Sequence, residues 1–177
     1  MGHLKNERGF TLVELMLSTL LMSILFLTVW DIFSQCSIFW RRAGDKVDLY
    51  DSLRISLDRM CREIICAKNI STFSDVNSLT FVNADGDTIR YYCNLNELLR
   101  REKGVSSPLA SDIVNVSFTY TTNAGLVIDQ TNIAGQKLLP NWTDSISLLT
   151  ISLTARKQGV PVGPVVLTQK VRLRALP

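Results

Sequence analysis

Hydrophobic residues follow two different patterns along this chain, and the change between them divides the sequence. Residues 10–30, FTLVELMLSTLLMSILFLTVW, hold one charged side chain, Glu14, in 21 positions. As an α-helix this stretch would be about 30 Å long, which is the thickness of the hydrocarbon core of a bilayer. The pattern therefore predicts a helix that is able to cross a membrane.

Further along, apolar residues recur every three or four positions, which indicates one face of an amphipathic helix. The residues on this face are Val47, Tyr50, Leu53, Leu57, Met60 and Ile64. No proline interrupts residues 10–70, so the sequence predicts one continuous helix from about Phe10 to Ala67. Gly44 is its expected soft point, because glycine is a poor helix former.

After Asn69 apolar and polar residues alternate in part, as they do in half-buried antiparallel strands. The predicted strands cover 78–82, 88–93, 113–120, 126–129, 145–154 and 165–173, and residues 94–101 are expected to turn and form another short strand. Arg100, Arg101 and Lys103 are expected to form a solvated sheet edge, since charges protect exposed edges. The expected fold class is α+β, with one long N-terminal helix packed on an antiparallel β-sheet.

Composition and motifs argue against catalysis. The chain has 177 residues and a formal net charge of +3, which is too small to indicate a nucleic-acid or acidic partner. Its single histidine, His3, precedes the apolar stretch, and no phosphate-binding loop or hydrolase motif occurs. Asn83, Asp85 and Asp87 lack the closing glutamate of a calcium loop. We expect no enzymatic activity, no cofactor and no metal site.

The four cysteines leave two interpretations open. Cys36, Cys61, Cys66 and Cys93 show no CxxC spacing, which does not suit a zinc site. Cys61 and Cys66 are five residues apart on the predicted helix, so they point to different sides. In a domain outside the cytoplasm, Cys93 would form a disulfide with Cys61 or Cys66. The alternative is buried free thiols.

Glu14 needs an explanation, because a carboxylate within an apolar span costs free energy and usually marks a functional site. Lys5 and Arg8 precede the span, which favours a cytoplasmic N-terminus. The apolar region is too long for an ordinary secretory signal, and no A-x-A-like cleavage site follows it. A plain membrane anchor would explain the length of the span but neither Glu14 nor the preceding Gly9.

The stretch Gly9-Phe10-Thr11-Leu12-Val13-Glu14-Leu15 closely resembles the cleavage and methylation signature of type IV prepilins and pseudopilins. The resemblance implies that a prepilin peptidase cuts between Gly9 and Phe10, and that Phe10 is then N-methylated. It also implies that Glu14 pairs with the new amine of Phe10 in a neighbouring subunit. Such a pair would set the filament register, because an unpaired buried charge is strongly penalised. The alternative is a lone glutamate that reaches toward the lipid headgroups.

The rest of the chain is similar to the minor pseudopilins of the GspJ/PilW-like group. The resembling features are the helix segment 54–67, the paired tyrosines 91–92, a strand ending in Phe118-Thr119-Tyr120, and the closing segment 171–174. This resemblance implies a pilin-like architecture in four segments. They are a leader peptide at 1–9, a transmembrane and assembly half-helix at 10–33, an amphipathic half-helix at 34–69, and a β-rich domain at 70–177.

The implied function is that of a minor pilin or pseudopilin that helps to initiate or tip a filament. The protein would be a single-pass protein of the bacterial inner membrane, with its C-terminal domain outside the cytoplasm, before it enters the filament. The implied partners are the prepilin peptidase and other major and minor pilins, bound through the N-terminal helix. Type II secretion, a type IV pilus and a DNA-uptake pseudopilus of a competence system all fit these residues.

Two other functions compete with this one. Lys170, Arg172 and Arg174 share one face of the last predicted strand, so a tip subunit could contact DNA or a secreted protein through them. Alternatively, the chain is a signal-anchored extracellular domain unrelated to filaments. That reading predicts an intact leader and tolerance of Glu14→Ala.

Overall fold

The first element is one long helix. The computed structural model describes residues 11–129, 138, 140–158 and 163–173. Helix α1 runs Leu12–Ile65, 54 residues without interruption, and it continues through Gly44. Its end agrees with the predicted helix to within two residues, whereas Phe10 lies outside the described residues. The chain divides into two compact units, the first ending at Ala43 and the second beginning at Gly44.

The described part of the first unit, residues 11–43, is helical from Leu12 onward, and none of its residues is buried. Its large apolar side chains are exposed along the whole length, from Leu12 to Trp40. An 18-residue window of α1 is apolar enough to cross a membrane. So large an apolar surface is unstable in water, and lipid or other apolar helices must cover it.

The second unit contains two antiparallel sheets. Sheet A is a meander in the order β1-β2-β3-β4-β5, and sheet B has the order β7-β6-β8-β9. The strands of sheet A are β1 Asn69–Ile70, β2 Ser78–Val82, β3 Thr88–Asn94, β4 Glu97–Glu102 and β5 Val105–Ala110. Those of sheet B are β6 Ile113–Thr122, β7 Val127–Ile128, β8 Ile146–Ala155 and β9 Val165–Arg172, and a short helix, α2 Pro140–Thr143, precedes β8.

Helix α1 buries one face of its C-terminal half in the core of this unit. The buried apolar residues of that face are Leu49, Leu53, Leu57, Met60, Cys61 and Ile64. They belong to one cluster with the inward-facing residues of both sheets, which include Phe81 and Tyr91 of sheet A and Phe118 and Tyr120 of sheet B. The α+β class and the pilin-like arrangement of a long helix on antiparallel sheets are therefore confirmed.

The predicted sheet edge at Arg100, Arg101 and Lys103 is wrong, although the side chains of Arg101 and Lys103 are exposed as expected. Strand β4 pairs with β3 on one side and with β5 on the other, so its residues lie inside sheet A. The missed strand, β5, contains Pro108, which cannot donate to a ladder and is tolerated at a sheet edge. Lys103 and Gly104 connect the two strands with positive φ angles of 50° and 85°, as a tight hairpin turn requires.

The predicted apolar face of α1 is also wrong at its first two positions. Val47 and Tyr50 are exposed, and Leu49 is buried instead. From Leu53 to Ile64 the prediction is confirmed. The periodicity identified the helix. Which residues between 47 and 50 face the core depends on where the sheets pack against it.

Candidate assembly surfaces

Thr11 and Glu14 form a capping box at the start of α1. The backbone amide and the hydroxyl of Thr11 both lie 3.0 Å from Oε2 of Glu14 and donate to it. In return, the backbone amide of Glu14 lies 3.3 Å from the Thr11 hydroxyl oxygen. The carbonyl of Thr11 accepts from the Leu15 amide at 3.2 Å, which is the first hydrogen bond of the helix. Two N-terminal amides that the helix cannot satisfy are thereby paired.

This cap gives Glu14 a role that sequence analysis did not predict, although Thr-x-x-Glu before an apolar run is its usual signature. The cap engages Oε2, and a carboxylate has about four lone-pair positions. Helix capping and a bond to a second amine are therefore compatible. Gly9 and Phe10 lie outside the described residues, so cleavage, methylation and the pairing of Glu14 with Phe10 stay predictions.

A polar clamp fastens α1 to sheet A. It consists of Glu63 on α1, Tyr91 on β3, and Arg100 and Glu102 on β4. The Tyr91 hydroxyl donates to Glu63 at 2.8 Å, and Nε of Arg100 lies 2.9 Å and 3.1 Å from the two Glu63 oxygens. Nη1 of Arg100 donates to Glu102 at 2.6 Å. Because the Tyr91 ring is fully buried, this network fixes the helix at one position on the sheet.

Electrostatics favour the charged forms of the ion pair in this clamp. Partial burial opposes ionisation of Glu63, but hydrogen bonds from Arg100 and Tyr91 outweigh it, so the pKa of Glu63 lies below its ordinary value. Burial, together with the Glu63 carboxylate, raises the pKa of Tyr91. Partial burial likewise opposes the Arg100 cation, yet the bonds to Glu102 and Glu63 raise its pKa. The network therefore links a carboxylate, a neutral phenol and a guanidinium.

A groove of about 660 Å³ lies between α1 and β9. Strand β9 is the last strand of sheet B, and among the described residues it pairs only with β8. Val165, Leu167, Gln169 and Val171 alternate toward the interior, but only the first and last of these are buried. On the helix side the groove is lined by Tyr50 and by Ile55, whose side chain is 70% exposed. Within the described part of the chain, the middle of β9 therefore leaves the interior of the domain partly exposed.

The predicted basic face on the last strand is present in part. Lys170 and Arg172 are exposed on β9, on either side of the buried Val171. Their cross-strand partners are Thr150 and Leu148 of β8. Arg174 lies outside the described residues. The structure therefore places two of the three predicted residues on one face of an edge strand.

The predicted disulfide is absent from the structure, where all four cysteines are free. Cys61 is buried on α1, and Cys66 is exposed just beyond the end of the helix. The Cys93 thiol points to the carbonyl oxygen of Ile113, 3.6 Å away. Burial raises the pKa of the Cys61 and Cys93 thiols. The thiols are unpaired in the structure, but of the four only Cys61 is buried, since Cys93 is partly exposed and Cys36 and Cys66 are exposed.

Comparison with known families identifies the N-terminal segment. Residues 4–30 match the prokaryotic N-terminal methylation motif, and this segment contains Gly9, Phe10 and Glu14. The motif indicates a type IV pilin-like prepilin, which is a substrate of a prepilin peptidase and assembles with other pilins. It points to a structural subunit rather than an enzyme, and with the apolar helix it is consistent with a single-pass membrane anchor. A comparison of the chain with curated proteins gives no match.

Proposed function

We propose that this chain is a minor pilin or pseudopilin of the GspJ/PilW-like group, which helps to initiate or tip a type IV pilus or a type II secretion-like pseudopilus. In this proposal the leader 1–9 is removed after Gly9, and Phe10 is N-methylated. The observation that carries it is the methylation motif at residues 4–30, placed directly at the start of an apolar helix with a capped Glu14.

The exposed apolar half of α1 would have two successive environments. Before assembly the bilayer covers residues 10–33 and holds the C-terminal domain outside the cytoplasm. In the filament the helices of neighbouring subunits replace the lipid. The exposure of every large apolar side chain from Leu12 to Phe33 supports this exchange, because none of them packs in its own domain.

Glu14 would set the register between subunits. One of its oxygens caps its own helix through Thr11, and the other would accept from the Phe10 amine of a neighbour. A subunit displaced by one step would leave a charge unpaired in an apolar environment, which is strongly unfavourable. The ion pair would therefore select the correct position of each subunit, and it would add little to the affinity between subunits.

The groove between α1 and β9 would receive a neighbouring minor subunit. No described strand pairs with the outer edge of β9, and Leu167 and Ile55 both line the groove with apolar surface. An extended strand of the partner that pairs with β9 would satisfy the backbone groups of that edge and cover the apolar side chains. Acidic residues on the outer face of that strand would complement Lys170 and Arg172.

The first experiment is an intact mass of the protein isolated from its native membrane. A chain that begins at Phe10 and carries one added methyl group supports the proposal. A Gly9→Val variant is the control, because the bulky residue blocks the cut and should leave the full leader in place. If the unmodified protein also keeps residues 1–9, it is an anchored domain unrelated to filaments.

The minor role needs a second measurement. Quantitative mass spectrometry of purified filaments compares copies of this chain with copies of the most abundant subunit. A ratio far below one, with filament number reduced when the gene is deleted, supports an initiating or tip subunit. A ratio near one would mean that the chain is the main building block instead.

A further inference from the structure

Two arginines face each other on the outer side of sheet A. Arg90 of β3 and Arg101 of β4 are register partners, and both are exposed. Like charges directly opposite one another destabilise a sheet. Within the described ranges, no ion pair joins either guanidinium to a carboxylate. The repulsion between the two guanidinium groups is therefore not compensated by a carboxylate in this part of the chain.

Arg90 is held in place before any ligand arrives. Its guanidinium lies 5.5 Å from the centre of the Tyr92 ring, and Nη2 donates to the Ser78 hydroxyl at 3.2 Å. Ser78 in turn donates to Asp75 at 3.1 Å. A side chain that is already ordered loses little conformational entropy when it binds.

The two arginines line a cleft of about 560 Å³, together with Phe73, Thr80, Asp87 and Lys103. Asp87 and Lys103 form an ion pair of 2.8 Å, and the hydrogen bond to Asp87 raises the pKa of Lys103. These two charges compensate each other. The cleft therefore keeps the positive charge of the two guanidinium groups.

Thr80 supplies a second, independent indication of a ligand. Its side chain lines the same cleft and is 5% exposed, and its hydroxyl has no hydrogen-bond partner among the described residues. Buried hydroxyls are almost always paired, so an unpaired one calls for an explanation. The oxygen itself is covered, so it would reach a ligand in the cleft only if the side chain adopts another rotamer.

We propose that this cleft binds a phosphate group, with Arg90 and Arg101 donating to its oxygens and the Thr80 hydroxyl as a third donor. A planar carboxylate is satisfied by a single guanidinium fork, whereas donors from two strands suit a tetrahedral oxyanion. The phosphate belongs either to a small free anion or to a phosphodiester chain, whose bases the exposed Phe73 at the rim would stack. This inference does not depend on the proposed filament role.

The test titrates the full-length chain, in a non-ionic detergent at about 0.15 M salt where long-range charge effects are screened, with two probes. Pyrophosphate is followed by calorimetry, and a fluorescent oligothymidylate by anisotropy. The Arg90→Gln/Arg101→Gln double variant should bind at least about tenfold more weakly. The matched control, Lys46→Gln/Arg156→Gln, removes the same charge from two exposed positions that do not line the cleft, and it should change affinity less than about twofold.

Thr80→Val separates ligand binding from folding. It keeps the shape of the side chain and deletes a hydroxyl that has no partner, so it should preserve stability while it weakens binding. Binding of pyrophosphate identifies a small anion as the ligand source, and binding of the oligonucleotide alone identifies a phosphodiester chain. The proposal is overturned if neither probe saturates, or if the two double variants lose affinity equally.

Discussion

The Thr11 amide and the Glu14 carboxylate are joined by a hydrogen bond of 3.0 Å, and this bond closes the first turn of α1. A carboxylate at the N-terminus of a helix also interacts favourably with the helix dipole. Glu14 therefore has a local reason to exist that is independent of any neighbour. The proposed pairing with Phe10 must be separated from this local role before it can be tested.

The Glu14→Gln variant separates the capping role of Glu14 from its proposed pairing with Phe10. It keeps the reciprocal capping geometry, since Glu and Gln both serve at this position of a capping box, but it removes the charge. We expect Glu14→Gln to be processed and inserted in the membrane normally, yet to be recovered in purified filaments at a small fraction of the unmodified amount. Glu14→Ala loses cap and charge together and should assemble equally poorly.

The readout for both variants is the ratio of filament-associated to membrane-associated protein, with Ser18→Ala as the control. Ser18 lies one turn further along, and among the described residues its hydroxyl bonds to the Glu14 and Leu15 carbonyls of its own helix, so its loss should leave the ratio unchanged. Normal assembly of Glu14→Gln would show that the carboxylate serves the helix cap alone.

The sequence predicted where the helix and most strands lie better than it predicted which strands pair with each other. The end of α1 and the positions of β6, β8 and β9 follow from local patterns that the structure confirms. The place of β4 inside sheet A did not, because its partner β5 carries Ser106, Ser107 and Pro108 and lacks a strand-like alternation. Pairing between strands depends on tertiary contacts that a local pattern does not contain.

The same limit explains what was missed in the candidate sites. Glu63 looks like one of several charges on a solvated helix face, and Arg100 looks like part of a charged edge. Their bond spans 37 positions in sequence, so no spacing rule connects them. The Thr11–Glu14 cap is different, because it is local and its Thr-x-x-Glu motif could have been recognised from the sequence.

Removal of the Glu63 carboxylate should loosen the contact between α1 and sheet A. Glu63→Gln leaves Tyr91 and Arg100 with a weaker, uncharged acceptor. Hydrogen bonds to charged groups contribute about 1.5–3 kcal/mol, and we expect a loss of about that size in the free energy of urea unfolding. Arg59→Gln is the control, because this partner of Glu63 is half exposed and should cost less than about 0.5 kcal/mol. If both variants lose the same free energy of unfolding, the contacts of Glu63 with Tyr91 and Arg100 do not contribute more than its contact with Arg59.

The stability of the domain should fall in acid. The pKa of Glu63 is lower in the folded chain than in the unfolded chain, where a glutamate titrates near about 4.3. Its contribution is therefore present above that pH and is lost as the pH falls through the lower, folded value. Urea midpoints measured from pH 7 down to pH 3 should decrease, and Glu63→Gln should show a shallower decrease. Identical pH profiles would exclude Glu63 as a source of the acid sensitivity.

Alanine variants of Leu53 and Ile55, two residues of the same helix, should separate an effect on folding from an effect on partner binding. Leu53 is almost completely buried, whereas Ile55 is 70% exposed and lines the groove beside β9. Leu53→Ala should lower the free energy of unfolding by about 2–5 kcal/mol, because it leaves a cavity in the core.

Ile55→Ala should change stability by less than about 0.5 kcal/mol, yet it should reduce recovery of the chain in filaments, since the groove loses apolar contact area. Urea unfolding and filament recovery measured on both variants give the two readouts. Val114→Ala is the matched control for recovery, because it truncates another exposed apolar side chain, on β6 and outside the groove. If Ile55→Ala assembles as well as Val114→Ala, the groove is not where a neighbouring subunit docks.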